Sequence, residues 1–129
     1  MKISGVDHIT VNVKNLEESR VFYGKILGIP EGGFIDMGDH TLTYYQLFGD
    51  VRLELIDYKE KAEAKGIKET DTGIYRHFCL VTDNLEEVYD RCREYGVFVR
   101  KTPSYVEKLS AHTMLITDPS GVEIEIIQR

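Results

Sequence analysis

The strongest constraint on this chain is that it repeats itself. The segment His8-Ile9-Thr10-Val11-Asn12-Val13-Lys14-Asn15-Leu16-Glu17-Glu18 returns 69 residues later as His77-Phe78-Cys79-Leu80-Val81-Thr82-Asp83-Asn84-Leu85-Glu86-Glu87. His, Asn, Leu, Glu and Glu keep their places. Each copy later closes on an apolar–Glu–apolar–Ile string, Leu53-Glu54-Leu55-Ile56 in the first and Ile124-Glu125-Ile126-Ile127 in the second. Each half therefore contributes one histidine near its start and one glutamate near its end. Paired His and Glu at matching places point to a metal site shared between the halves.

The local patterns give each copy the same order of elements. Over positions 6–13, Ile9, Val11 and Val13 alternate with Val6, His8, Thr10 and Asn12, the period of a strand covered on one side. Asn15 then stands as a helix cap with Glu18 three residues on, and Leu16, Phe22, Tyr23, Ile26 and Leu27 form the stripe to be buried. Gly28 ends that helix. The second copy predicts a strand over 76–82, a cap at Asn84 with Glu87, a stripe of Leu85, Val88, Tyr89, Cys92 and Tyr95, and a stop at Gly96. Short strands follow at about 31–37, 41–48 and 51–58, with a Gly49-Asp50 hairpin turn. Their counterparts fall at about 97–102, 111–117 and 122–128, with Asp118-Pro119-Ser120-Gly121 as the turn.

Each half thus reads β-α-β-β-β, an α+β arrangement of two tandem modules, about 1–60 and about 74–129. The polar stretch 59–73, rich in Lys, Glu, Thr and Gly, links them. Neither half is long enough for a dependable core alone. The expectation is one domain over 1–129, with the two sheets side by side.

Composition excludes several classes. A formal net charge of −6 and no basic cluster argue against a nucleic-acid partner. Lys59, Lys61, Lys65 and Lys68 alternate with Glu60, Glu63 and Glu69, the pattern of a solvated face. No apolar run approaches the length of a bilayer span, and the start of the chain lacks the apolar stretch of a secretory signal, so a cytoplasmic protein with no membrane partner is expected. Two cysteines, Cys79 and Cys92, make no disulfide framework. Both fall in apolar patterns and read as reduced, buried thiols.

Strand parity tests the metal idea internally. Leu53 and Leu55 share one face of their strand, leaving Arg52 and Glu54 on the other. Ile124 and Ile126 leave Glu123 and Glu125 opposite. His8 opposes Ile9 and Val11, and His77 opposes Phe78 and Leu80. All four polar side chains project from the face away from the helix-packed one. A single histidine on a strand is ordinarily a surface or hydrogen-bonded residue, and a single glutamate between apolar neighbours ordinarily faces water. The duplicated placement is what lifts the set above that. Two imidazoles and two carboxylates suit Zn²⁺ or Ni²⁺ first, with Co²⁺, Mn²⁺ and Fe²⁺ also accommodated. Spacing leaves Glu123 open as a rival to Glu125.

The chain resembles the vicinal oxygen chelate superfamily, which includes glyoxalase I, extradiol dioxygenases, methylmalonyl-CoA epimerase and the fosfomycin- and bleomycin-resistance proteins. The resemblance rests on Asp7-His8-Ile9, Phe22-Tyr23-Gly24-Lys25-Ile26-Leu27-Gly28, Leu53-Glu54-Leu55 and Asp118-Pro119-Ser120-Gly121-Val122-Glu123-Ile124-Glu125-Ile126. It implies an incomplete barrel around a divalent metal, commonly in a homodimer, and places the second-half ligand carboxylate at Glu125. The implied metal ligands are His8, Glu54, His77 and Glu125. A full His-Glu-His-Glu quartet is most like glyoxalase I, since the dioxygenases and fosfomycin enzymes typically use one carboxylate and the epimerases often carry an amide at the place of Glu54.

The resemblance also implies a reaction. A lyase or isomerase of this type moves a proton beside a carbonyl of a small-molecule substrate through an enediolate that a divalent cation stabilises. Glu125 is the implied catalytic base and Glu54 the second carboxylate, with His8 and His77 as neutral ligands. An epimerase or dioxygenase on the same scaffold, or a drug-binding resistance protein without chemistry, are the alternatives. Arg52 is a candidate contact for an anionic substrate, or else the partner of a nearby acid. Cys79 reads as structural, and His40, His112, Tyr44, Tyr45, Tyr75 and Tyr105 as packing or rim residues with a secondary chance of touching substrate.

Overall fold

A computed structural model describes residues 1–129 and divides the chain into two compact units, Met1–Lys61 and Ala62–Arg129. The division falls inside the polar stretch expected as the linker. In the first unit, strand β1 (His8–Asn12) leads into helix α1 (Leu16–Arg20), followed by β2 (Glu31–Asp36), β3 (His40–Phe48) and β4 (Val51–Tyr58). The second unit repeats the order with β5 (Phe78–Val81), α2 (Leu85–Glu94), β6 (Phe98–Val106), β7 (Ala111–Thr117) and β8 (Glu123–Gln128). The α+β class and the two β-α-β-β-β modules are as read from the sequence.

The two sheets have the same topology, β1-β4-β3-β2 and β5-β8-β7-β6. The first and last strands of each module pair in parallel, and the remaining neighbours pair antiparallel. This topology brings the start and the end of each module side by side. Thr10 pairs with Glu54 in the first sheet and Cys79 with Glu125 in the second. The strand that opens each module therefore lies beside the strand that carries its glutamate.

Capping follows the sequence closely. The Asn15 side chain accepts the Glu18 amide at 3.0 Å, and Asn84 accepts that of Glu87 at 3.1 Å. Each bond satisfies a first-turn donor that the helix itself leaves unpaired. Gly28 and Gly96 then turn the chain out of the helices at φ +71° and +69°, a region that suits glycine.

The first helix departs from a plain α-helix. After Arg20 the backbone widens into a π segment over Val21–Ile26, with the Leu27 amide bonded to the Phe22 carbonyl. Phe22, Tyr23 and Ile26 turn inward there. Tyr23 meets the Tyr45 ring on β3 at 6.3 Å, and a Cβ at Gly24 would lie only 3.3 Å from that ring. Close approach of helix to sheet is what the glycine permits.

The module cores follow the predicted parity. Val11, Val13, Leu53 and Leu55 are buried in the first unit, and Phe78, Met114, Ile116, Ile124 and Ile126 in the second. Each such side chain contributes about 1.5–3 kcal/mol through removal from water. Three expectations are corrected. Tyr95 is 39 % exposed, because it sits at the C-cap of α2 after the stripe has rotated outward. Cys79 is exposed and only Cys92 is buried. Strand β6 runs past the expected 97–102 through Pro103 to Val106. Pro103 is tolerated because β6 is an edge strand whose register slips between Lys101 and Ser104.

Candidate metal centre

In the second module, the residue that leads into β5 and two residues of β8 bring three polar side chains together. The Nε2 of His77 lies 3.0 Å from Oε2 of Glu125, and its Nδ1 lies 3.2 Å from Oε1 of Glu123. The imidazole therefore stands between the two glutamates that spacing alone left as rivals. Their surroundings separate them. Glu123 receives the Arg100 guanidinium at 2.9 Å and that of Arg76 at 3.9 Å. Arg100 and Arg76 also reach Glu69, at 2.8 and 4.0 Å. The charge of Glu123 is thus matched within the protein, whereas Glu125 meets the imidazole and the Cys79 thiol.

Although Cys79 is exposed as a residue, partial desolvation of its sulfur pushes the thiol up to about 11, and the Glu125 charge and hydrogen bond add to the shift. The raised value favours the protonated thiol, which donates toward Glu125.

The first module builds its pair differently. His8 is exposed, and its Nδ1 lies 2.6 Å from the Asp7 carboxylate, which leaves Nε2 as its other donor position. Hydrogen bonding to His8 holds Asp7 below the ordinary carboxylate range. Arg52 lies 3.9 Å from the same Asp7 oxygen and stacks 4.0 Å over the Tyr44 ring. Of its two expected roles, Arg52 therefore fills that of partner to a nearby acid. Glu54 is only 7 % exposed. It sits across the ladder from Tyr44, whose hydroxyl donates to it, and the Glu54 carboxylate raises the Tyr44 phenol by that bond.

Comparing the modules position by position reveals an exchange of sign. The residue before the histidine is Asp7 in the first copy and Arg76 in the second. Two residues before the glutamate stand Arg52 and Glu123. Each pair is 3.9 Å apart, so the acid–base couple is kept while its polarity is reversed. In both modules the carboxylate of the couple faces Nδ1 of the histidine.

The donor chemistry fits a divalent first-row cation, since imidazole nitrogen and carboxylate oxygen are its ordinary ligands. Of the four candidates only His77 and Glu125 are in contact, and no group of three or more His, Cys, Asp or Glu side chains is gathered as a metal-holding cluster. The other histidines have local partners, His40 with Asp39 at 2.6 Å and Tyr58, and His112 with the Tyr105 ring. Tyr44 and Tyr45 are buried, while Tyr75 and Tyr105 are exposed. A groove of about 490 Å³ in the first module, lined by Arg20, Lys25, Glu31 and Tyr45 among others, contains none of the four candidate ligands.

Comparison with known proteins places the chain in a family. Residues 5–126 match the model of the Glyoxalase/Bleomycin resistance protein/Dioxygenase superfamily, and the chain belongs to that superfamily. It is similar to the mitochondrial methylmalonyl-CoA epimerase of Bos taurus, with 24 % identity covering 95 % of this chain and 73 % of the relative. It is also similar to a Vibrio cholerae protein named Probable lactoylglutathione lyase, with 25 % identity covering 94 % of this chain and 88 % of that one. Among solved structures, the trypanothione-dependent glyoxalase I of Leishmania major shares the fold, with a TM-score of 0.77, 21 % identity, and coverage of 98 % and 87 %. No helix is long and apolar enough to cross a membrane.

Proposed function

We propose that the protein is a divalent-metal-dependent lyase or isomerase of the glyoxalase I type, with His8, Glu54, His77 and Glu125 as the metal ligands. The observation that carries this reading is the 3.0 Å approach of His77 Nε2 to Glu125 in a member of this superfamily. A pair of donors falls short of a full coordination shell, so the reading adds His8 and Glu54 to them. Zn²⁺ or Ni²⁺ is the first choice for such a set, and the working unit is a cytoplasmic homodimer.

A bound divalent cation would supply electrostatic stabilisation for an oxygen that gains negative charge. The remaining chemistry belongs to the chain. Glu125 takes the proton from the hydroxyl-bearing carbon beside the substrate carbonyl, the C–H electron pair passing toward that carbonyl. It then returns the proton to the former carbonyl carbon, while the hydroxyl proton passes to the former carbonyl oxygen, so no atom is lost or gained. Glu125 suits this role because a fifth of its side chain is accessible and its charge is not matched by a guanidinium. Glu54, buried under the Tyr44 hydroxyl, is the fixed carboxylate. His8 and His77 remain neutral donors, each with Nδ1 turned to an acid.

Epimerisation of a thioester is the second reading, favoured by similarity to the bovine epimerase. It uses the same proton abstraction with return to the opposite face of one carbon. Assays with a hemithioacetal of methylglyoxal and with a 2-methyl-branched acyl-CoA, each with added Ni²⁺ or Zn²⁺, separate the two. Turnover of the hemithioacetal supports the first reading. Turnover of the acyl-CoA alone transfers the proposal to the second, and turnover of neither sinks both.

A further inference from the structure

His77 is the better-defined of the two histidines, and its environment contains one acid the reaction does not use. Nδ1 of His77 and Oε1 of Glu123 are both buried and lack a hydrogen bond, yet they lie 3.2 Å apart. Their separation is within hydrogen-bond distance, with the alignment short of a formed bond. Glu123 cannot drift away to solve the problem otherwise. Its second oxygen is held by Arg100 at 2.9 Å, and Arg100 and Arg76 are themselves tied to Glu69.

Resting on the metal reading of His77, we propose that Glu123 is its positioning residue: clamped by Arg100 and Arg76, it takes Nδ1 and thereby presents Nε2 beside Glu125. A metal-binding histidine is ordinarily oriented through its other ring nitrogen by an acceptor of this kind. The first module supports the assignment independently. Asp7 faces Nδ1 of His8 at 2.6 Å and is accompanied by Arg52, the same couple with its charges exchanged between strands. An acid at Nδ1 of each histidine, the preceding residue in one module and a residue of β8 in the other, is therefore a repeated feature of this chain. The sign exchange also accounts for why repeat alignment alone hides it: at matching positions the charges are opposite.

The test has two readouts on the full-length chain, native and Glu123→Ala. The first is the downfield imidazole N–H resonance of His77 in ¹⁵N-labelled protein, with and without Zn²⁺. The second is Zn²⁺ affinity by competition with a chromophoric chelator. The native chain is expected to show a protected His77 Nδ1–H signal that Glu123→Ala loses, together with a fall in affinity of about 10–100-fold. Glu123→Gln keeps an acceptor oxygen and is expected to retain most of both. An unchanged N–H signal and unchanged affinity in Glu123→Ala overturn the proposal.

If the native chain binds no Zn²⁺, the metal reading falls, and the N–H signal alone decides the positioning role. Should Glu123→Ala fail to fold, Arg100→Gln replaces it. That variant releases the far oxygen of Glu123 and is expected to weaken the His77 signal, and an unaltered signal there counts against the clamp.

Discussion

Glu54 and Glu125 hold equivalent places in the two modules but differ in freedom. Glu54 is buried and accepts the Tyr44 hydroxyl, whereas Glu125 keeps a fifth of its side chain accessible and meets His77. The difference follows from the strand beside each. Tyr44 stands opposite Glu54 on β3, and the matching position on β7 is Leu115, which has nothing to donate. A duplicated scaffold thus carries one buried and one partly accessible carboxylate.

Glu125→Gln tests that division. The amide keeps the size and an oxygen but cannot accept a proton from carbon. Turnover of the hemithioacetal is expected to fall by about 10²–10⁴-fold, the range for removal of a general base. A variant with native kcat removes Glu125 from the base role.

Tyr44→Phe probes the fixed carboxylate. Loss of the hydroxyl leaves Glu54 buried without that donor, at an expected cost of about 1–3 kcal/mol in unfolding free energy. The ring remains to carry Arg52, so the stacking is preserved. Urea denaturation of the metal-free chain reads the effect, and an unchanged midpoint would show that Glu54 draws nothing from Tyr44.

Cys92 gives a pH prediction remote from the candidate ligands. Burial pushes its thiol from 9.0 up to about 11. Between those values the folded chain holds a proton that the unfolded chain has released. Stability from this group is therefore fully present below pH 9 and declines as pH rises toward 11. Relative to Cys92→Ala, the native chain should lose stability more steeply between about pH 9 and about pH 11. Parallel curves would contradict the buried-thiol assignment.

The repeated cap is testable in either copy. Asn84→Ala removes the acceptor for the Glu87 amide, with an expected loss of about 1 kcal/mol, and Asn84→Asp should restore nearly all of it. Thermal unfolding of the two variants checks the pair. Equal midpoints for Asn84→Ala and the native chain would leave the cap without energetic weight.

What the sequence made legible was whatever depends on local period and cap chemistry. The strands and the Asn caps followed from alternation and short-range signals. The π segment over Val21–Ile26 was not legible, because it follows from the fit of Phe22, Tyr23 and Gly24 against Tyr45, a residue distant in sequence. Strand parity puts Cys79 on the same face as His77, but how far that face is covered is set by tertiary packing, and the expected burial of its thiol was wrong for that reason. The acids at Nδ1 escaped for a similar reason. Asp7 is adjacent to its histidine, but Glu123 comes from the far end of its module, and parity made it a rival ligand instead of a support.

Metal stoichiometry is the measurement that bears most directly on the central claim. Protein purified without an affinity tag or chelator is analysed for bound elements, beside a variant carrying Glu54→Ala and Glu125→Ala. Near-stoichiometric divalent metal in the native chain, lost in the double variant, is the predicted result. A native chain that stays metal-free after incubation with Ni²⁺ or Zn²⁺ would contradict the glyoxalase-type account.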